Sequence, residues 1–308
     1  MSKQNLVVIL GPTASGKTTL ATALACLHQG EIISADSRQV YRGMTIGTGK
    51  DLKEYNCKDR KIPYHLIDIV DPGYEYNVYE FQKDFLEAYN TIVKRGTMPI
   101  MCGGTGMYLD SILERYPLIK VDENKELRKK VEHYTHKQLI QLLISLKTVH
   151  NTTDLQNRER LIRAIEIADY EKKNNLKVRF PAIASIIFGI SLERKIIRQR
   201  ISQRLKSRIE NGMIEEVEEL LQHVSPEKLI FYGLEYKYLT LFVTGKLSKV
   251  EMYSKLETAI HQFAKRQMTW FRRMERRGNK IHWIDGLLST EEQLNIIHTF
   301  LTDSHQAL

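Results

Sequence analysis

At 308 residues and 42% hydrophobic content, the chain can hold one large α/β domain and a smaller module. The apolar stretch before Gly11 is too short for a signal-peptide core, and nowhere do about eighteen apolar residues run together, so neither export nor a membrane span is expected. The formal charge of +9 suits a polyanionic partner, while Cys26, Cys57 and Cys102, none in a C-x-x-C pair, argue against structural zinc and a disulfide framework and for a reducing cytoplasm.

Leu6 to Leu10 is a short apolar run that breaks at Gly11 and resumes as the helix-forming Leu20 to Leu27. Between them Gly11, Pro12, Thr13, Ala14, Ser15, Gly16, Lys17 and Thr18 fit G-x4-G-K-[ST] without a gap. The glycines let backbone N–H groups turn inward, the helix start adds its positive end and the Lys17 ammonium adds a full charge. Thr18 can place its hydroxyl on a magnesium ion. The motif specifies a polyphosphate, and ATP, GTP and an isoprenoid pyrophosphate present the same oxygens.

Glu31 to Ser34 reads as a second strand, followed at its C-terminal end by Asp36, Ser37, Arg38 and Gln39. Ligands sit at that end of open parallel sheets, which places Asp36 beside the phosphate loop, although an Asp there can also cap the next turn. Gly43 to Asp51 is a glycine-punctuated loop, Tyr64 to Ile69 a short third strand, and Val78 to Lys94 a helix by its apolar spacing. Met98 to Cys102 is a buried strand running into Gly103-Gly104-Thr105-Gly106, which brings Thr105 to the same rim as Lys17 and Asp36.

From Asp122 the pattern turns to polar helices, and Ile183 to Leu192 returns to a strand. The chain therefore divides into a core over 1–121, a helical insertion over 122–182 and the rest of the core over 183–308. In the next helix Arg200, Arg204 and Arg208 recur every fourth residue beside a packing row of Ile197, Ile201, Leu205 and Ile209. Tyr253, Leu256, Ile260, Phe263, Trp270 and Met274 trace one face of a later helix, with Lys265, Arg266, Arg272, Arg273, Arg276 and Arg277 on the opposite side. From Thr258 to Lys280 Glu275 is the single acid, a bias that suits a nucleic-acid backbone. Ile281 to Ile284 reads as a last strand and Glu291 to Leu301 as a closing helix.

Together GPTASGKT at Gly11 to Thr18, SADSRQVY at Ser34 to Tyr41, GGTGMYL at Gly103 to Leu109 and KRQMTWFRR at Lys265 to Arg273 resemble the tRNA dimethylallyltransferases, from about residue 5 to 285. The resemblance implies an α/β fold with a P-loop NTPase-like parallel sheet and a helical insertion. It also implies transfer of a dimethylallyl group from its pyrophosphate to N6 of the adenosine 3′ to the anticodon, with Mg2+ as cofactor. By the same resemblance Asp36 is the general base, Thr13 contacts the pyrophosphate, Arg204 steadies the leaving group and Thr105 lines the channel near the acceptor. Asp36 to Gln39 would read the flipped base, and Arg128, Glu159, Arg160, Leu161, Ile162 and Arg163 would lie on the anticodon arm with Lys265, Arg266, Arg272 and Arg273. A monomer is expected.

Two departures bear on the choice of tRNA. Glu159 stands where a glutamine commonly precedes the Arg-Leu pair, and Glu235 in Phe231 to Glu235 stands where a basic residue is usual, which weakens phosphate contact there. The competing readings are a P-loop kinase, an isopentenyltransferase acting on free adenine nucleotides, and a non-catalytic RNA-binding protein. The first two leave the basic helix without a use, and an intact Lys17, Thr18 and Asp36 speak against the third.

Overall fold

A computed structural model of the chain describes residues 6–57, 60–147, 155, 157–174 and 179–306. Contacts divide it into two compact units, residues 1–115 with 181–308 and residues 116–180.

The larger unit is built on six parallel strands: β1 (Leu6–Leu10), β2 (Glu31–Ala35), β5 (Tyr64–His65), β6 (Pro99–Gly103), β7 (Ser185–Ser191) and β8 (Ile281–Asp285), in the order β5-β2-β6-β1-β7-β8. Strands β1, β2 and β6 are buried along their whole length; β1 is apolar throughout, whereas β2 also buries Glu31 and Ser34. Helix α1 (Lys17–His28) packs on this sheet through Leu20, Ala21, Leu24 and Ala25. A two-stranded ribbon, β3 (Asn56–Cys57) with β4 (Arg60–Lys61), follows a 3-10 turn at Leu52–Tyr55.

Helices α2 (Val78–Lys94) and α3 (Gly106–Leu113) flank β6 in sequence, α2 opening on an Asn77–Glu80 capping box. After β7 come α7 (Arg194–Glu210), α8 (Met213–Leu220), α9 (Pro226–Phe231), α10 (Leu234–Val243) and α11 (Lys249–Arg276), and α12 (Thr290–Gln306) follows β8. Helices α7, α8, α10 and α11 close a second apolar core with Val40, Tyr41 and Met44. The smaller unit contains α4 (Lys125–Val131), α5 (His136–Leu146) and α6 (Arg158–Asn174) around Val131, Leu139, Leu143, Leu161 and Ile165.

The strand expected over Tyr64 to Ile69 ends after His65, because Leu66 and Asp68 adopt φ of 61° and 55° and turn the chain off the sheet. In α11 the buried face runs through Leu256, Ile260, Ala264, Gln267, Phe271 and Met274, whereas Phe263 is exposed. The cysteines also depart from expectation. Cys26 and Cys57 form a disulfide with Cα atoms 6.2 Å apart, because the β3–β4 ribbon folds back on the last turn of α1. Their separation of 31 residues carries no local motif that could have announced the pair. Cys102 remains a free thiol, which burial in β6 pushes up to about 12. Among the described residues no helix is long and apolar enough to cross a membrane.

Candidate active site

The site follows from the register of the sheet. Gly103 pairs with Ala35 on one side and Leu10 on the other, so β2, β6 and β1 end at one level. The residues that come next, Asp36, Gly104 and Gly11, therefore emerge along one rim, where ligands of parallel sheets bind. A Cβ on Gly103 would lie 2.3 Å from the Ala35 carbonyl oxygen, so only glycine allows this approach.

The phosphate loop is shaped by its backbone. Ala14 and Gly16 have φ of 63° and 91°, and among the described residues no side chain caps α1, so the first-turn N–H groups keep their bonding capacity for a ligand. Ser15 Oγ is buried against Gly11 with no hydrogen-bond partner among the described residues. The loop walls a cavity lined by residues 13–18 together with Asp36, Gln39, Thr48, Gly49, Asp51, Glu54 and Arg204. Lys17 faces Asp36 and Glu54, and burial draws its ammonium below the ordinary lysine value. Arg204 donates to Thr13 Oγ1. Burial first and then the neighbouring Arg208 push its guanidinium down to about 10. Glu54 is raised, by burial and then by Asp51.

Arg200, Arg204 and Arg208, the row of α7 spaced every fourth residue, have different partners. Arg200 donates to the Gly286 carbonyl at 3.4 Å, Arg204 to the phosphate loop and Arg208 to Asp51 Oδ2 at 3.2 Å. Glu235 shares a small cavity with Arg204 and Arg208. Burial raises its carboxyl, against the pull of its own N–H and of the two guanidinium groups.

Asp36 leaves β2 and accepts from the Arg38 N–H at 3.0 Å, so the turn-capping and cavity-lining readings both apply to it. Thr105 stands one place removed from the phosphate cavity: its Oγ1 accepts from the Ser37 N–H at 3.0 Å and ties the second glycine turn to the segment carrying Asp36. Gln39 donates to the Gly49 carbonyl at 3.2 Å. The loop carrying Gly49 is held by Glu216, whose carboxylate accepts from the N–H groups of Thr45, Ile46 and Gly47 at 2.8, 2.6 and 3.0 Å and from the Tyr236 hydroxyl at 2.7 Å. Sequence reasoning misses Thr48, Gly49, Asp51 and Glu54; the glycine-punctuated loop over Gly43 to Asp51 is a signal for the first three, and nothing marks Glu54. It also misses Gln267, buried inside a motif that draws notice for its charge.

Hard oxygen donors surround the loop: the Thr18 hydroxyl and the Asp36, Asp51 and Glu54 carboxylates. Among the described residues no three His, Cys, Asp or Glu converge as a cage. Magnesium held beside phosphates characteristically takes only one or two protein oxygens, so these residues fit it.

Lys265, Arg266 and Arg272 are exposed on α11, and Arg273 lies 5.5 Å from the Trp270 ring centroid. In the helical unit Arg160 is exposed and Glu159 accepts from Arg128 at 3.4 Å. Arg128 and Arg163 are drawn inward to Glu166, at 2.8 and 3.0 Å. Leu161 and Ile162 correct the expectation that placed them on RNA: they are 0% and 6% exposed, packed in the apolar core of their unit.

Known proteins give this geometry a context. The isopentenyl transferase family matches residues 4–64 and the IPP transferase family residues 39–274. A tRNA dimethylallyltransferase 2 of Bacteroides fragilis is 56% identical over 299 residues, covering 96% of this chain and 98% of its own length. A tRNA dimethylallyltransferase 1 of Parabacteroides distasonis is 55% identical, with 96% of each chain covered. The crystal structure of a tRNA isopentenylpyrophosphate transferase from Bacillus halodurans superimposes with a TM-score of 0.70 at 29% identity, over 99% of this chain and 98% of that one. With a phosphate loop, a carboxylate and an arginine on one rim and relatives matched along nearly its whole length, the chain belongs to the IPP transferase family.

Proposed function

We propose that the chain transfers a dimethylallyl group from dimethylallyl pyrophosphate to N6 of adenosine 37, the residue 3′ to the anticodon, in tRNA. The observation that carries this reading is the shared rim: a phosphate loop with Lys17, a carboxylate at Asp36 and a guanidinium from Arg204 face one cavity. As the bond from the allylic C1 to the pyrophosphate oxygen breaks, the new bond joins C1 to N6 and the N6 proton passes to Asp36. Charge then builds on the departing pyrophosphate, where Lys17, Arg204 and the N–H groups of the α1 first turn neutralise it. Asp36 is needed because the N6 lone pair is delocalised into the ring, and nitrogen attacks only as its proton leaves. Thr18, with the nearby carboxylates, would hold magnesium, which would help neutralise the pyrophosphate's charge.

In this reading Ser37, Arg38, Gln39 and Thr105 surround a base extruded from the anticodon loop, and Lys265, Arg266, Arg272 and Arg273 meet RNA phosphates, as does Arg160 of the helical unit. The protein works as a monomer in the cytoplasm, where the half-buried Cys26–Cys57 pair is open to reduction. The test is incubation with magnesium and labelled dimethylallyl pyrophosphate, separately with unmodified tRNA, AMP and no acceptor, followed by digestion. Label at N6 of adenosine in tRNA alone is the expected result. Label in AMP would move the substrate to free nucleotides, and no transfer to either would refute the reading.

A further inference from the structure

Gln267 stands in the middle of the strongly basic stretch of α11, yet its side chain is 6% exposed and points into the rim. Its Oε1 accepts from the Thr13 N–H at 2.8 Å and its Nε2 donates to the Gly104 carbonyl at 2.9 Å. One carboxamide thus joins the phosphate loop after β1 to the glycine turn after β6. Thr13 is gripped from two sides, since its hydroxyl accepts from Arg204 while its N–H is committed to Gln267. The turn continues into Thr105, which receives the Ser37 N–H beside Asp36.

The glycines of the turn answer to the same helix. A Cβ on Gly104 would lie 2.4 Å from Gln267 Nε2, and one on Gly106 would lie 2.3 Å from the ring of Trp270, one helical turn further along α11. The helix is therefore seated against the turn by two consecutive inward side chains, while Lys265, Arg266 and Arg272 stay exposed.

We propose that Gln267 is a positioning residue that holds the phosphate loop in register with the acceptor-side turn, and so makes α11 the part that sets the pyrophosphate cradle. A carboxamide, or a protonated carboxyl in its place, offers an acceptor to Thr13 and a donor to Gly104 at once. A carboxylate offers an acceptor to both, which turns the Gly104 contact repulsive and adds a negative charge beside the loop.

The inference rests on the prenyl-transfer reading only for the name of the ligand, so its test uses inorganic pyrophosphate with magnesium and needs no turnover. Calorimetry on the full chain compares wild type with Gln267→Leu, which keeps the volume without the bonds, and Gln267→Glu. At about pH 8 both variants should bind pyrophosphate about tenfold more weakly, the loss of one or two buried hydrogen bonds. Towards about pH 6 the Gln267→Glu deficit should shrink to within about threefold, because a buried carboxyl gains its proton there and recovers the donor. A merely structural glutamine would give a pH-independent difference.

Pyrophosphate affinity within about twofold of wild type in both variants at about pH 8 would overturn the proposal. Should Gln267→Leu fail to fold, a Gln267→Glu deficit that stays constant across the range would overturn it equally. Transfer of label by wild type to tRNA is scored separately, so a failure of the function reading leaves this binding result interpretable.

Discussion

Arg128 and Arg163 of the helical unit and Arg204 of the larger unit are used in opposite ways. In the helical unit Arg128 and Arg163 converge on Glu166, whose carboxylate is fully buried and accepts from both guanidinium groups and from the Asn124 N–H. Burial works to raise that carboxyl, but the hydrogen bonds outweigh it and hold it below the ordinary range. On the rim of the larger unit Arg204 has a hydroxyl as its hydrogen-bond partner, and no carboxylate among the described residues lies within 4.0 Å of it. Arg128 and Arg163 are thus committed to an internal acid, whereas Arg204 is held by a hydroxyl. Proximity in sequence to a basic motif does not separate the two.

Substitutions separate the two uses of arginine. Asp36→Ala should lower kcat for prenyl transfer by about 10² or more while RNA affinity, read by filter binding, stays within about threefold. Unchanged turnover would remove Asp36 as the base. Glu166→Ala should cost the helical unit about 2 kcal/mol, seen in its melting transition, and leave the KM for dimethylallyl pyrophosphate unaltered. Arg204→Ala should do the reverse, raising that KM about tenfold with little change in melting. An Arg204 variant with wild-type pyrophosphate dependence would show its charge to be structural after all.

Smaller effects follow from Lys17 and from α11. Because burial lowers the Lys17 ammonium, the charge present at neutral pH is lost as pH rises through a value below the 10.5 of a free lysine. Pyrophosphate affinity should therefore fall on that alkaline limb, and Lys17→Met should flatten it. Replacing exposed Lys265 and Arg272 together by alanine should reduce the salt slope of tRNA binding by about 2. Replacing Arg128 should hardly change that slope.

Much of the rim was legible because it is local. G-x4-G-K-[ST], the Asp after the second strand and GGTG are each contiguous, and parallel-sheet geometry gathers whatever follows the strands. The α7 row was legible too, because a four-residue spacing marks a face, though spacing could not say that its three arginines would take three different partners. What escaped depends on distant contacts. Glu216 looks like one more acid in a polar helix until its carboxylate is found on three N–H groups of the Thr45–Gly47 segment. Arg163 belongs to a motif of RNA contacts by resemblance, and a buried glutamate three residues later turns it inward. The cysteine pair could not be read because nothing near either residue marks it.

The Glu216 clasp has a consequence for how the protein is made. It joins residues 171 positions apart, the Arg204 contact spans 191 and the Gln267 contact 254. Contacts of such separation form last, after the loop-closure entropy of the intervening chain has been overcome. As the ribosome releases the chain from its N-terminus, β1 and α1 appear early, but the cradle they begin cannot close until α11 has emerged. The nascent protein therefore carries its phosphate loop, without a finished site, through most of its synthesis.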